Sequence, residues 1–196
     1  LQHAQPLRFP DISYGFYHVW ADLFGMQYRQ IPLYEDFTLP LESYLATDGP
    51  IIIANPNAPT GLSLSLEKIE LLLENNRESV VVIDEAYVDF GACSAVRLIE
   101  HYDNLLVTQT FSKSRSLAGM RVGYALGHPQ LIQAIKRIKD SFNSYPVSAL
   151  AQAIAVSSLE DEDYFIQCCS RICSNRDKLE RELIELGFLT LPSKAN

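Results

Sequence analysis

The sequence predicts an α/β fold: a mostly parallel sheet flanked by helices. Three observations point there. Ile51-Ile52-Ile53, Val80-Val81-Val82-Ile83 and Leu105-Leu106-Val107 are short apolar runs without polar alternation, the composition of strands covered on both faces. Stretches with apolar residues at helical spacing, such as 64–73 and 129–139, give an alternation of strand and helix, as parallel connections require. Each run also breaks abruptly into polar residues at its carboxyl end, where α/β sheets place their ligands.

Taken in order, residues 1–10 show no clear period and predict no element. Ser13 to Phe24 reads as a helix closed by Gly25, and Met26 to Leu33 alternates as a strand before the acidic turn Tyr34-Glu35-Asp36. Tyr14 and Tyr17, near the helix start, fit two roles: core packing, or a ring stacked on a planar ligand. Pro50 to Ala54 is a strand that ends in Asn55-Pro56-Asn57-Ala58-Pro59-Thr60-Gly61. Prolines fix backbone angles there, glycine permits unusual ones, and the asparagine amides serve either the turn itself or a ligand. Helical spacing follows over 64–73.

The next strand, Val80 to Ile83, runs directly into Asp84-Glu85-Ala86-Tyr87. A buried carboxylate needs a cation or hydrogen bonds, so Asp84 has either a ligand partner or a helix N-cap role, and Tyr87 is close enough in sequence to share its pocket. After Leu105 to Val107, a strand over Val122 to Leu126 and a helix over Pro129 to Lys139 are expected. Ser141 to Val147 interrupts with polar and aromatic residues, among which Asn143 and Tyr145 are placed to face a ligand. Ser148 caps an alanine-rich helix running to Ala155, and a long helix over 163–186 closes at Gly187 with a solvated charged face.

Thr110-Phe111-Ser112-Lys113-Ser114-Arg115-Ser116-Leu117-Ala118-Gly119-Met120-Arg121 puts one amine, several hydroxyls and two guanidinium groups just beyond a buried strand. Such a lysine is either a solvated loop residue or, near cations or in a poorly solvated pocket, a nucleophile able to form a Schiff base with an aldehyde. The hydroxyls and Arg121 suit a phosphate.

Composition narrows the class. With 16 basic against 24 acidic residues the chain carries a net charge of −8, which argues against a non-specific binder of nucleic acid or anionic membrane. No apolar run is long enough to span a bilayer and no leader pattern opens the chain, so a cytoplasmic location is expected. Cys168, Cys169 and Cys173 share one expected helix without a histidine nearby, and with Cys93 they read as small apolar residues rather than a metal site. No glycine-rich dinucleotide or P-loop pattern follows a strand, which excludes the generic nucleotide binder.

The three strand ends, Asn-Pro-Asn-Ala-Pro-Thr-Gly, Asp-Glu-Ala-Tyr and Ser-Lys-Ser with Arg121 eight residues after Lys113, together resemble the fold-type I pyridoxal-phosphate aminotransferases. The likeness covers nearly the whole chain and is greatest to the histidinol-phosphate aminotransferases. It implies the three-layer large domain of those enzymes over residues 1–187 and the start of a small domain over 188–196, the chain being the middle of a longer protein. It implies pyridoxal 5′-phosphate as cofactor. Lys113 would be its covalent anchor and the catalytic residue, Asp84 the partner of the protonated ring nitrogen, and Tyr87 the hydrogen-bond donor to the ring's phenolic oxygen. Thr110, Ser112 and Arg121 would hold the phosphate, and Tyr14 would stack on the ring.

One position departs from the pattern. Ala58 stands where the family has an asparagine that contacts the ring oxygen, and Asn57 is the amide expected to replace it. Arg115 receives no role from the resemblance. The activity implied is transamination of histidinol phosphate with 2-oxoglutarate in histidine biosynthesis, by a homodimer. Transamination of aromatic amino acids and decarboxylation of threonine phosphate share these motifs, and an inert folding or dimerisation core is the reading from another class.

Overall fold

A computed structural model describes residues 5–45 and 48–196. Residues 1–4, part of the opening for which the sequence predicts no element, lie outside the described residues. Among the described residues, six strands form one sheet in the order β2-β1-β3-β4-β5-β6. They are β1 (Leu7–Pro10), β2 (Tyr28–Ile31), β3 (Ile51–Ala54), β4 (Val81–Asp84), β5 (Leu105–Thr110) and β6 (Gly123–Gly127). All neighbours run parallel except β5 and β6, so the expectation of a mostly parallel sheet holds, with one antiparallel edge strand.

Five α-helices among the described residues accompany the strands: α1 (Phe16–Leu23), α2 (Leu66–Asn75), α3 (Pro129–Phe142), α4 (Ala149–Glu160) and α5 (Glu162–Glu185). Their ends follow local chemistry. Gly25 adopts φ +62°, Met26 N–H reaches Ala21 C=O at 2.8 Å and Gly25 N–H reaches Asp22 C=O at 3.1 Å, a Schellman closure that the glycine makes possible. The Ser148 side chain accepts the Ala151 N–H as the expected cap of α4.

Strand β1 is a correction to the sequence reading. Leu-Arg-Phe-Pro is too short to show a period, and its extended shape comes from pairing on both sides, with β2 and with β3. A second correction concerns burial. In β3, β4 and β5, residues Ile51, Ile53, Val81, Ile83, Leu105 and Val107 are buried, whereas Ile52, Val82 and Leu106 on the opposite face are only half-buried. The buried face packs against Ile69, Leu72 and Leu73 of α2 and against Tyr44 and Leu98. Continuous β-branched runs thus mark the centre of this sheet without both faces being fully covered.

The cysteines divide: Cys169 is buried in α5, Cys168 and Cys173 beside it are half-buried, and Cys93 is exposed in a loop. Residues 188–196 form no helix or strand. Lys194 N–H bonds Gly61 C=O at 2.7 Å, and Ser193 lies so close to Gly61 that a Cβ there would clash with the serine Oγ. Gly61, at φ +72°, serves both the turn and this approach.

Candidate active site at the carboxyl edge of the sheet

Strand register assembles the site. Ala54, Asp84 and Thr108 are lateral partners at the carboxyl ends of β3, β4 and β5. The ladder continues past them, with Asn55 N–H on Asp84 C=O and Glu85 N–H on Thr108 C=O, both at 2.8 Å. Because β6 runs antiparallel, its start at Gly123 pairs with Thr110 and delivers Arg121 to the same edge. These elements enclose a cavity of about 370 Å³ lined by Tyr14, Asp84, Tyr87, Thr110, Ser112, Lys113 and Arg121, that is, by seven of the eight residues expected from the sequence.

Asp84 is the electrostatic centre. Tyr17 Oη donates to its Oδ2 at 2.9 Å and Ala86 N–H to its Oδ1 at 3.2 Å. Burial pushes its carboxyl above the usual carboxylate range, while those hydrogen bonds pull the other way. Burial, then the charge of Asp84, drives the Tyr17 phenol well above its ordinary value, so Tyr17 remains a donor. None of the ion pairs among the described residues involves Asp84. A half-buried carboxylate without a cation is a place for one.

Lys113 is exposed, and its Nζ lies 5.0 Å from the centroid of the half-buried Tyr87 ring, a cation–π contact. Thr110 Oγ1 accepts the Ser112 N–H at 3.1 Å, which turns the chain tightly after β5. Arg121 takes φ +56° and bonds the Ala118 carbonyl at 3.0 Å, and Ser116 takes φ +57°. Two non-glycine residues in the left-handed region within one loop mark a conformation held by its surroundings. Tyr14 is 45% exposed and meets Tyr17 edge-on at 5.5 Å between centroids.

Asn57 is the residue the structure keeps away. It is buried beside the cavity, and its amide is committed: Nδ2 donates to Ile12 C=O at 2.9 Å and to Thr60 Oγ1 at 3.0 Å, while Oδ1 accepts from Ser13 Oγ at 2.7 Å. Its place in the lining is taken by Ala58 and Pro56. The expected replacement of the family asparagine by Asn57 is therefore not what this geometry offers. Asn143 and Tyr145 also lie outside the lining, and Tyr145 is 94% exposed.

The cavity adds residues that the sequence reading passed over. Thr108 and Gln109 line it from β5, and Trp20 from α1. Thr108 was within reach of the strand period, two residues before Thr110. Trp20 lies one helical turn beyond Tyr17, its ring 6.2 Å from that of Tyr17. Gln109 follows from Glu85, a buried carboxylate that accepts from Ser94 Oγ at 2.7 Å, Ala95 N–H at 2.6 Å and Gln109 Nε2 at 2.7 Å. Burial raises the Glu85 pKa against those three bonds, so Glu85 braces the edge beside Asp84.

Known proteins share the family and the fold. The model of the aminotransferase class I and II family matches residues 1–196. The chain is 55% identical to histidinol-phosphate aminotransferase 2 of Dechloromonas aromatica, covering all of this chain (100%) and 55% of that protein. It is also 55% identical to the histidinol-phosphate aminotransferase of Acinetobacter baylyi, over 98% of this chain and 53% of that one. Among solved structures, the histidinol-phosphate aminotransferase of Sinorhizobium meliloti in complex with pyridoxal-5′-phosphate superposes with a TM-score of 0.88 at 26% identity, over 100% of this chain and 55% of that chain. The enzyme of the same name from Clostridium acetobutylicum superposes at 0.89 with 26% identity, over 98% of this chain and 60% of that one. The chain spans about half the length of the relatives it matches.

Proposed function

Because the chain belongs to the class I and II aminotransferases, we propose that the cavity at the sheet edge binds pyridoxal 5′-phosphate and that the whole protein transaminates histidinol phosphate with 2-oxoglutarate. One observation carries the cofactor reading: a half-buried carboxylate without a cationic partner at the cavity wall, with a lysine, two hydroxyls and an arginine lining the same space. That donor set suits a ligand with a cationic ring nitrogen, an aldehyde and a phosphate.

When bound, pyridoxal phosphate supplies an aldehyde that bonds to amines and a ring that accepts the electron pair of the substrate's α-carbon. Lys113 Nζ would hold it covalently, and the same amine, once free, moves the proton at the substrate's α-carbon. Asp84 would keep the ring nitrogen protonated, its carboxylate oriented by Tyr17 Oη and the Ala86 N–H. Thr110, Ser112 and Arg121 would take the phosphate, Tyr87 the ring's phenolic oxygen and Tyr14 one ring face. Asn57 holds the 55–61 turn in shape instead of touching the ring.

Residues 1–187 serve as the cofactor-binding domain and 188–196 as the beginning of a second, in a homodimer acting in the cytoplasm in histidine biosynthesis. No helix among the described residues is long and apolar enough to cross a membrane. The test is the absorbance of the protein after addition of pyridoxal phosphate. A visible imine band that Lys113→Ala removes, together with 2-oxoglutarate-dependent consumption of histidinol phosphate by the full-length protein, is the expected result. Absence of such a band in the full-length protein would overturn the cofactor reading.

A further inference from the structure

We propose that Arg115 is a positioning residue that straps the loop carrying Lys113 to the junction of α4 and α5. The last carbonyls of a helix have no partner within it and carry partial negative charge. At the end of α4, Asp161 N–H satisfies Ser157 C=O at 3.1 Å, and Arg115 Nη1 donates to Ser158 C=O. The same guanidinium lies 3.9 Å from the centroid of the Phe165 ring in α5. One half-buried side chain thus caps one helix and stacks on the next.

The neighbouring residue ties the loop a second way. Ser114, only 4% exposed, donates from Oγ to Asp89 Oδ2, in the 3-10 turn Val88–Phe90 that follows Asp84 and Tyr87. That turn is itself held on α5, since Phe90 C=O accepts from Arg176 Nη1 at 2.7 Å and from Cys173 Sγ at 3.2 Å. Both residues after Lys113 therefore lead to the same helix, one directly and one through the segment that carries Tyr87. Inside the loop, Ser116 N–H bonds Lys113 C=O at 3.0 Å with Ser116 in the left-handed region, a shape that external ties must hold. Lys113 is exposed and its side chain meets the Tyr87 ring by cation–π contact, so the backbone relies on the ties of its neighbours. Arginine suits the task because a planar guanidinium stacks and donates at once, whereas an ammonium only donates.

The consequence for chemistry rests on the cofactor reading of Lys113; the strap itself does not. Hydrogen exchange on the full-length protein without cofactor tests the strap. In Arg115→Met, amides 114–117 are expected to exchange about tenfold faster while β4 is unchanged, the loss of one charge-assisted hydrogen bond being enough for that factor. Arg115→Lys and Phe165→Leu should fall between. Unchanged exchange at 114–117, or equal acceleration there and in β4, overturns the strap. With pyridoxal phosphate added, the pH midpoint of the Lys113-dependent band should move in Arg115→Met and return partway in Arg115→Lys. A midpoint that stays put while the loop exchanges faster overturns the positioning role. If the unsubstituted protein shows no such band, the cofactor reading fails by itself, and exchange still decides the strap.

Discussion

The strands β3–β5 with α2 and the three helices of residues 129–185 put their apolar residues to very different ends. In the first region Ile51, Val81, Ile83, Leu105, Val107, Ile69, Leu72 and Leu73 are each 0% exposed. In the second, α3 buries no residue, α4 only Ala151 and Ala155, and α5 only Cys169, while Ile138, Phe142 and Leu150 are 60%, 77% and 67% exposed. The strand ends bearing Asp84 and Thr110 are thus located by close packing. The helices act on the site through a few directed contacts from Phe165, Cys173, Arg176 and the end of α4, so they adjust geometry that the sheet has already set.

The largest effect should come from the packed region. Leu105→Ala removes a fully buried side chain from the sheet centre and should cost about 2–5 kcal/mol in the denaturant midpoint; a loss below about 1 kcal/mol would break the contrast. Glu85→Ala leaves the Ala95 N–H, the Ser94 hydroxyl and the Gln109 amide without their acceptor and should cost about 2–3 kcal/mol, with Glu85→Gln milder because it keeps an oxygen.

Asp84→Asn should act in the opposite direction. The raised native pKa means that the folded chain binds the proton more tightly than the unfolded one. That contribution favours folding in acid and is lost as pH rises from the ordinary carboxylate range through the raised native value. Asp84→Asn should therefore raise the cofactor-free melting temperature at neutral pH, with the gain vanishing at low pH. It should also weaken cofactor binding, and a gain that persisted unchanged into acid would rule out the titration. The smallest effect is expected in the helical region, where Leu150→Ala should stay within about 0.5 kcal/mol of the unsubstituted chain by the same midpoint.

Much of the site was legible because its residues sit where a periodic apolar run stops. Asp84 and Thr110 are the last residues of β4 and β5, and Lys113 comes three residues later, so strand length alone nearly located them. Tyr17 was harder. Its helical position allowed a core role or a ligand role, and it holds both, 1% exposed with its hydroxyl on Asp84. Asn57 misled because an amide beside Ala58 is equivalent in sequence but not in direction: the turn points it at Ile12 and Ser13. Strand β1 was hidden for a related reason, since four residues ending in proline declare nothing until β2 and β3 pair with them.

By itself the sequence determined the alternation of strands and helices, the caps at Gly25 and Ser148, and the three polar strand ends, because these depend on residues a few positions apart. Only the tertiary structure decided what those ends do together. Strand register set Ala54, Asp84 and Thr108 side by side, the antiparallel edge strand returned Arg121 to Lys113, and hydrogen bonds spanning 43 residues or more joined Arg115 to α4 and Tyr17 to Asp84. Such contacts depend on the path of the whole chain, which no local pattern encodes.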